Sequence, residues 1–372
     1  MQQIELMKKL KIIISGGGTG GHIFPALAIA KAIEKKVADV EFLFVGAEDR
    51  MEMEKIPAAG YKIVGLWISG LQRNLSSRNL LFPFKVMSSL VKARKILKKF
   101  KPDLAIGTGG YASGPLLFAA ANHGVPSLIQ EQNSYPGITN KILSKYVQKV
   151  CVAYDNMERF FGKEKLIITG NPIREDILDF EAKIEEGRNK FNIDSSKPTV
   201  LVVGGSLGAR TINNAIAENI EFFKTADVNL IWQTGISFQD KSQEIIKGVN
   251  ASGIQAHTFI KEMDLAYAVA DVIVSRAGAI AISELCCVAK PIILVPSPNV
   301  SENHQYKNAQ SLVNKNAALL VEDKEASRKL VSTLMELVED KTLQLSLSSN
   351  IKKLAVKNAA DEIAEIALSL IK

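Results

Sequence analysis

The stretch Lys11-Ile-Ile-Ile-Ser-Gly-Gly-Gly-Thr-Gly-Gly-His22-Ile-Phe-Pro-Ala26 decides the fold of this 372-residue chain. The apolar, β-branched run Ile12–Ile14 predicts a buried strand that breaks directly into glycines, and an amphipathic helix is predicted to start near Pro25. A strand, a glycine turn and a helix N-terminus together bring backbone N–H groups against a negatively charged ligand. We therefore expect an anion site here, with His22 as a titratable group at its mouth.

The same glycines formally match a dinucleotide-binding fingerprint, but two details argue against NAD and a P-loop nucleotide. The acidic residue expected about 20 residues later, at the end of the second strand, is missing, because Glu48 and Asp49 come only after that strand has ended. No Lys-Ser/Thr pair follows Gly21, so the turn is not a P-loop. The sequence thus favours an anionic ligand other than NAD or a P-loop nucleotide.

Length and composition indicate a two-domain protein of the cell interior. A chain of 372 residues is longer than one ordinary core supports, and its 47% hydrophobic and 23% charged residues are typical of a globular protein. Cys151, Cys286 and Cys287 have neither metal-ligand spacing nor a disulfide framework, which suits a reducing cytosol. Because we find no signal peptide and no apolar run near the roughly 20 residues of a membrane span, we expect the protein to stay inside the cell.

Strand and helix patterns alternate in two series, and each series opens with a strand, a glycine turn and a helix. The boundary between them lies near Gly170-Asn-Pro-Ile-Arg174. We predict an α/β fold of two doubly wound, Rossmann-like domains that face each other across a cleft, formed by residues 1–172 and 173–355. The last helix, within 356–372, has an apolar stripe and is expected to cross back to the first domain.

Two further glycine turns follow predicted strands, at Gly107-Thr-Gly-Gly-Tyr-Ala-Ser-Gly-Pro115 and Gly204-Gly-Ser-Leu-Gly-Ala-Arg210. The carboxyl ends of parallel strands meet at one edge of a sheet, where ligands bind. The second of these turns adds a hydroxyl and a base at a helix start, which suits a diphosphate. One such turn is equally explained as a tight connection without a ligand, but three in one chain favour phosphate binding.

Several polar residues near other strand ends have two readings each. Asn133 lies in a polar loop directly after a strand. Glu284, in the junction Ser275–Glu284, has a carboxylate that could accept both hydroxyls of a ribose, although spacing alone slightly favours a solvated helix acid. Asn303-His-Gln305 offers amides for sugar hydroxyls or a helix cap. His22 could take a proton from an attacking hydroxyl, or hydrogen-bond a phosphate without proton chemistry.

A local basic segment needs its own explanation. Between Lys55 and Pro102 the chain has eleven basic residues and no acidic one, although the whole chain has a net charge of +7. The bases are interleaved with bulky apolar residues, which suits a surface that touches anionic lipid head groups. No nucleic-acid-binding motif accompanies the charge, so we expect no nucleic-acid partner. The alternative is a solvated helix face beside an ordinary core.

Seven motifs in order carry a resemblance that covers nearly the whole chain. They are Gly16-Gly-Gly-Thr-Gly-Gly-His22-Ile-Phe-Pro25, Gly107–Pro115, Glu131-Gln-Asn133, Gly170–Arg174, Gly204–Arg210, Ser275-Arg-Ala-Gly278 and Asn303-His-Gln305. In this set and order the chain resembles the MurG family of peptidoglycan N-acetylglucosaminyltransferases, which have the two-domain GT-B fold. The resemblance implies transfer of GlcNAc from UDP-GlcNAc to the 4-hydroxyl of MurNAc in undecaprenyl-pyrophosphoryl-MurNAc-pentapeptide (lipid I to lipid II), with inversion at the anomeric centre.

The resemblance also assigns roles to residues and domains. Glu284 would hold the ribose, Ile260 the uracil through its backbone and Ser206 the diphosphate, which reverses the reading of Glu284 as a solvated acid. The first domain would bind the acceptor and dock, through 73–101, on the cytoplasmic face of the cell membrane as a peripheral enzyme. The second domain would bind UDP-GlcNAc, and other cell-wall synthesis proteins would be further partners. The implied donor contacts are Thr19, Gly20, Gly21, Asn133, Arg174, Ser206, Ile260, Ala279, Ile280, Ala281, Ile282, Ser283, Glu284 and Gln305.

Inversion implies one direct displacement, with a base on the acceptor hydroxyl and stabilisation of the departing UDP. His22 is our candidate for the catalytic base. Helix N-termini and Arg174, rather than a metal, would meet the charge of the leaving group, because the chain lacks an Asp-x-Asp triplet; we expect no cofactor. Two alternatives keep the fold: another UDP-sugar-dependent lipid glycosyltransferase or a UDP-GlcNAc epimerase, and a non-catalytic nucleotide-sugar-binding scaffold.

Overall fold

The computed structural model describes residues 9–70, 81–205, 207–300 and 303–371. Ser206 and residues 71–80 of the basic segment, including Arg73 and Arg78, therefore lie outside the described residues. The chain divides into two compact units, which we call the first unit (Met1–Ile173 with Asn358–Lys372) and the second unit (Arg174–Lys357). In the described ranges, no helix combines the length and the apolar character that a membrane span requires.

The first unit is built on a seven-stranded, all-parallel sheet with the strand order β3-β2-β1-β4-β5-β6-β7. Its strands are β1 (Leu10–Gly16), β2 (Val40–Ala47), β3 (Ile63–Leu66), β4 (Leu104–Gly109), β5 (Ser127–Glu131), β6 (Lys149–Val152) and β7 (Leu166–Ile168). Its helices before the second unit are α1 (Gly20–Lys36), α2 (Glu52–Ala58), α3 (Phe82–Phe100), α4 (Ser113–Asn122) and α5 (Ile138–Leu143).

The second unit has a six-stranded, all-parallel sheet with the order β10-β9-β8-β11-β12-β13. Its helices are α6 (Ile184–Lys190), α7 (Arg210–Glu218), α8 (Ile220–Thr225), α9 (Gln239–Val249), α10 (Met263–Val269), α11 (Ala279–Val288), α12 (His304–Val313), α13 (Ala326–Glu339) and α14 (Lys341–Lys352). Its strands are β8 (Thr199–Val203), β9 (Asn229–Gln233), β10 (Ile254–His257), β11 (Val272–Ser275), β12 (Ile292–Leu294) and β13 (Leu319–Leu320). A last helix, α15 (Ala359–Leu368), belongs to the first unit.

Both sheets have the same doubly wound topology, which confirms the predicted α/β fold with two Rossmann-like halves. In each, the first strand of the unit lies in the middle, and the chain order reverses between that strand and its later neighbour. Ligands of such sheets bind at this switch point, beyond the carboxyl ends of the two central strands. The turns after β1 and β4, and those after β8 and β11, are therefore the places where binding groups are expected.

The hydrophobic core follows from the alternation of side chains along β1. Ile12 and Ile14 pack on one face of the sheet with α1, whereas Ile13 packs on the other face with α3 and α4. On the α1 face, α15 contributes Ile363, Ala364 and Ala367, all fully buried. An ion pair between Lys36 Nζ and Glu365, 2.7 Å long, joins α1 to α15 at the surface.

Helix α1 begins at Gly20, five residues before the start predicted near Pro25. Proline is frequent in the first turn of a helix, because its missing N–H is not needed there, and this preference misplaced the predicted start. Pro25 is instead the sixth residue of the helix. The earlier start moves the helix N-terminus to the end of β1, next to the glycines.

Candidate active site

The first glycine turn joins the end of β1 to the start of α1 over only three residues. Gly18 has a φ of +86°, a conformation that favours glycine. Thr19 is exposed and occupies the N-cap position of α1, so the N–H groups of Gly20 and Gly21 open the helix. The first N–H groups of a helix have no acceptor within it, and they attract anions. This turn therefore has the backbone geometry of an anion site.

The second glycine turn, after β4, packs directly against the first. A Cβ atom on Gly110 would lie 2.4 Å from the Gly17 oxygen, so the two backbones approach more closely than side chains allow. The Thr108 hydroxyl donates to the backbone oxygen of His22 at 2.8 Å, and Thr108 is fully buried. Two turns that sequence analysis treated separately thus form one structure at the switch point of the sheet.

The ring of His22 is held by one strong hydrogen bond. Its Nδ1 lies 2.8 Å from the Gly17 oxygen and 3.4 Å from the Thr19 hydroxyl. Because a carbonyl oxygen only accepts, Nδ1 carries the proton, and the Nε2 of a neutral ring keeps its lone pair. A Cβ atom on Gly109, whose φ is +104°, would lie 2.9 Å from Nε2. His22 is therefore a half-buried group in the tautomer that accepts a proton at Nε2.

Asn133 is held from behind by a buried acid. Oε1 of Glu131 accepts from the backbone N–H of Asn133 at 3.0 Å and from its side-chain amide at 3.2 Å. The other Glu131 oxygen accepts from the side chain of Asn140 at 2.9 Å. Gln132 donates to the Thr108 oxygen at 2.7 Å and so ties this loop to the second glycine turn. The loop is thus a fixed part of the switch-point edge.

In the second unit, the turn between β8 and α7 has glycines with positive φ at Gly205 and Gly208. Ser206, the predicted diphosphate contact, lies outside the described residues. Arg276, directly after β11, braces the start of α7: it donates to the Thr211 hydroxyl at 3.1 Å and to the Val295 oxygen at 3.0 Å, and it contacts Asp323. The helix start that would face a diphosphate is therefore anchored to the neighbouring strand ends.

Glu284 is buried, so its reading as a solvated helix acid was wrong. Only 8% of the residue is exposed, in the second turn of α11. One oxygen lies 3.3 Å from Nε of Arg174, and the other accepts from the Tyr267 hydroxyl at 3.4 Å. Burial raises the pKa of Glu284, although Arg174 opposes this shift. Contacts to a cation at one oxygen and to a hydroxyl at the other hold this buried carboxylate in one orientation.

The partners of Glu284 are perturbed in the same way. Burial raises the pKa of Tyr267 well above its usual value, and the negative charge of Glu284 adds to that shift. Burial on its own would lower the pKa of Arg174, but attraction to Glu284 and Asp176 raises it. Arg174, expected to face the leaving group, thus lies within the Glu284 cluster in this structure.

The remaining predicted donor contacts that the structure describes belong to the second unit. Ile260 follows β10, and its backbone N–H donates to Gln233 Oε1 at 3.0 Å. Gln305 lies in the first turn of α12, and its side-chain oxygen accepts from the Ser297 N–H at 2.8 Å. Ala279, Ile280, Ala281, Ile282 and Ser283 form the first turns of α11, ahead of Glu284. The structure brings Arg174 and Glu284 together, whereas Thr19, Gly20, Gly21 and His22 gather in the first unit.

Sequence reasoning missed three residues that support these groups: Glu52, Tyr267 and Asp323. Each lies far along the chain from the residue it holds, and each acts through backbone atoms or through another side chain. A lone acid or hydroxyl in a helix or loop has no spacing that would reveal such a role. Thr108 and Glu131 were quoted within motifs, but their support of His22 and Asn133 was not predicted.

A separate surface lies on α3. Its exposed apolar residues Phe84, Met87 and Val91 recur at intervals of three and four, so they share one face of the helix. Leu81, just before the helix, and Trp67, with the Lys85 ammonium 5.5 Å above its ring, are also exposed. The bases of the same helix are Lys85, Lys92, Arg94, Lys95, Lys98 and Lys99. We call the residues Leu81, Phe84, Met87 and Val91 the apolar face of α3.

Comparison with protein families matches both halves of the chain. Residues 12–152 match the glycosyltransferase family 28 N-terminal domain, and residues 199–363 match its C-terminal domain. Proteins named UDP-N-acetylglucosamine–N-acetylmuramyl-(pentapeptide) pyrophosphoryl-undecaprenol N-acetylglucosamine transferase are similar over nearly full length. The one from Parabacteroides distasonis is 52% identical over 98% of this chain and 99% of its own length, and the one from Cytophaga hutchinsonii is 54% identical over 98% of both.

Solved structures give the same picture of the fold. The crystal structure of Acinetobacter baumannii MurG matches with a TM-score of 0.75 and 26% identity, covering 97% of this chain and 99% of that one. The UDP-GlcNAc 2-epimerase from Neisseria meningitidis, solved with UDP-GlcNAc bound, matches with a TM-score of 0.68 and 14% identity, covering 97% of this chain and all of that one. The second likeness concerns the fold alone.

Proposed function

This chain belongs to the MurG family of N-acetylglucosaminyltransferases, and from that premise we propose how its residues transfer GlcNAc from UDP-GlcNAc to the 4-hydroxyl of MurNAc in the undecaprenyl-pyrophosphoryl-linked pentapeptide. The activity converts lipid I to lipid II in peptidoglycan synthesis. The observation that carries the mechanism is the tautomer of His22, with Nδ1–H on the Gly17 oxygen at 2.8 Å and a lone pair on Nε2. It supports His22 as the general base.

The reaction is one displacement at the anomeric carbon. Nε2 of His22 takes the proton from the acceptor hydroxyl as its oxygen bonds to the anomeric carbon from the face opposite the diphosphate. The bond from that carbon to UDP breaks, and UDP leaves with the electron pair, so the configuration inverts. N–H groups at helix starts, such as Gly20 and Gly21 in the first unit and the start of α7 in the second, are suited to the phosphate charges of acceptor and donor.

On the donor side, Glu284 accepts the ribose hydroxyls, and Arg174 and Tyr267 hold its carboxylate in place. The Gly204–Arg210 turn, with Ser206, takes the diphosphate, and the backbone at Ile260 reads the uracil. Gln305, together with Thr19, Gly20, Gly21 and Asn133 of the first unit, completes the predicted donor contacts. In this assignment the second unit, predicted as residues 173–355, binds the uridine diphosphate, and the first unit binds the acceptor.

We assign the apolar face of α3 and its bases to contact with the cytoplasmic face of the cell membrane. Phe84 is 69% exposed and Met87 is 60% exposed, which is unusual for apolar side chains of this size on one helix face. Lysines beside such a face add attraction to anionic lipid head groups. The lipid-linked acceptor lies in that membrane, so a peripheral enzyme gains access to it there. Other cell-wall synthesis proteins remain predicted partners.

Two alternatives are weaker for stated reasons. Epimerases share this fold, but the relatives that are about half identical to the chain are named as transferases, and a fold alone does not define a reaction. A scaffold that only binds nucleotide sugar needs no base, whereas His22 is held in the tautomer of one.

The test is GlcNAc transfer by the purified full chain from UDP-GlcNAc to a lipid-linked MurNAc-pentapeptide. We expect His22→Ala to lower kcat by about 10²- to 10⁴-fold, the usual contribution of general base catalysis, with UDP-GlcNAc affinity by calorimetry little changed. The matched control, His123→Ala, replaces a histidine at the end of α4 whose Nδ1 bonds the Ala119 oxygen. Equal turnover by both variants would remove His22 as the base, and no transfer by the wild type would reject the function.

A further inference from the structure

Glu52 is a buried acid with an unusual set of partners. It lies at the start of α2 and is fully buried. Its two oxygens accept from backbone N–H groups, Oε2 from Gly18 at 2.8 Å and Oε1 from Ala47 at 3.0 Å. Among the described residues, no lysine or arginine forms an ion pair with it. A buried carboxylate without a cation is costly unless it is fully hydrogen-bonded, so its position here calls for a reason.

The N–H that Glu52 holds belongs to the same peptide group that holds His22. The Gly17–Gly18 peptide donates its N–H to Glu52 Oε2 and accepts, at its Gly17 oxygen, the Nδ1–H of His22. Hydrogen bonds at the two ends of one amide polarise each other: a negative acceptor at the N–H makes the carbonyl oxygen a stronger acceptor. Carboxylate, peptide and imidazole therefore form one continuous chain of hydrogen bonds, which we call the relay.

We infer that Glu52 is a positioning residue for His22, which acts through the Gly17–Gly18 peptide and rests on the proposed role of His22 as general base. In a Ser-His-Asp triad the carboxylate contacts the imidazole directly, fixes its tautomer and stabilises the imidazolium that forms. Here one peptide group is inserted between them. It keeps the proton on Nδ1 and offsets part of the positive charge that arises when Nε2 takes the acceptor proton.

The packing around this peptide leaves it one orientation. A Cβ atom on Gly17 would lie 2.1 Å from Glu52 Oε1, and one on Gly46 would lie 2.5 Å from Glu52 Cγ. On the other side, a Cβ atom on Gly110 would lie 2.4 Å from the Gly17 oxygen. Turning the peptide over would break its bonds to both Glu52 and His22. The absence of side chains at Gly17, Gly46 and Gly110 thus allows the Glu52 carboxylate and the second glycine turn to pack against the Gly17–Gly18 peptide.

The decisive variant is Glu52→Gln, which keeps the size of the side chain but has only one acceptor oxygen for two N–H donors. We expect the ¹⁵N NMR spectrum of the imidazole to show His22 as the Nδ1–H tautomer in the wild type and as a mixture in Glu52→Gln. We expect kcat to fall about tenfold or more, with the KM for UDP-GlcNAc within twofold. The matched control is Glu54→Gln on the same helix, an exposed acid paired with Lys55, which should change neither.

A purely structural role would lower the midpoint of unfolding of Glu52→Gln but leave the His22 tautomer and kcat as in the wild type, and that result would overturn the inference. A wild-type His22 with its proton on Nε2 would overturn it without any variant. Should Glu52→Gln not fold, His22→Phe keeps a ring but removes the Nδ1–H, and we expect the Gly18 amide proton signal to move upfield. An unmoved signal would also reject the relay.

The two proposals fail in different ways. Full turnover by His22→Ala would reject the base, whereas the tautomer measured in Glu52→Gln would still report whether the carboxylate controls the ring. Conversely, a slow His22→Ala with a fully active Glu52→Gln would keep the base and reject the relay.

Discussion

At the scale of single residues, three buried acids, Glu52, Glu131 and Glu284, support the candidate site. Glu284 has one oxygen toward Arg174 and the other toward the hydroxyl of Tyr267. Glu131 and Glu52 instead accept hydrogen bonds from backbone or side-chain amide N–H groups. Sequence reasoning raised Glu284 as a possible ribose contact but slightly favoured a solvated acid, and the resemblance reversed that preference. Burial depends on the whole fold, which local sequence does not contain.

The pH dependence of donor binding follows from the pKa of Glu284. In the proposed donor site, the ionised carboxylate of Glu284 accepts hydrogen bonds from the ribose hydroxyls, so affinity for UDP-GlcNAc should be lost as pH falls through a pKa that burial has raised. The hydrogen bond from Tyr267 lowers that pKa, so Tyr267→Phe should raise it further and start the loss at a higher pH. Calorimetric Kd values between about pH 8 and pH 5 check this.

Tyr61→Phe is the matched control for that series. It removes a similar bond, from a tyrosine hydroxyl to Glu34 at 2.9 Å, in the first unit. Its pH dependence of UDP-GlcNAc binding should match the wild type. Identical curves for Tyr267→Phe and the wild type would show that the Tyr267 hydroxyl does not change the pKa of the Glu284 carboxylate.

At the scale of elements, the glycine turns could be predicted and their mutual packing could not. In the sequence each turn is a short apolar run followed by glycines, and both sheets place those turns at the switch point. The role of Glu52 was not predicted, because its partners are backbone N–H groups, one of them 34 residues away, and such contacts leave no sequence pattern. The start of α1 was misplaced because Pro25 was given its commonest position.

Helix α3 gives a prediction about membranes. Replacing Phe84, Met87 and Val91 together by serine removes exposed apolar surface without opening a core. If each side chain contributes about 1 kcal/mol on insertion, binding to vesicles with anionic lipid should weaken about a hundredfold. Vesicle sedimentation measures this. Leu345→Ser, which changes a 72% exposed leucine on α14, should leave binding unchanged. Equal loss in both proteins would exclude the apolar face of α3 as the docking surface.

At the scale of the whole molecule, the two units have separate hydrophobic cores, although the first is assembled from two distant parts of the chain. Ile363 of α15 is fully buried beside α1. Ile363→Ala should lower the free energy of unfolding of the first unit by about 2–4 kcal/mol and leave the second unit unaffected.

Fluorine NMR of the chain labelled with fluorotryptophan can measure each unit separately, because the two tryptophans, Trp67 and Trp232, lie in different units. In a denaturant titration only the Trp67 transition should move in Ile363→Ala. The reciprocal variant, Leu334→Ala in the core of the second unit, should move only the Trp232 transition. A shift of both signals in either variant would mean that the units unfold together.

The position of α15 also sets an order of events on the ribosome. Every residue of the second unit is synthesised before Ile363, so that unit has its complete core available while the sheet of the first unit still lacks the helix that covers it beside α1. Domains generally fold as units during synthesis, with the N-terminal one first. In this protein the second unit has all its residues before the first unit does, and the unit that contains His22 is completed only when α15 has been synthesised.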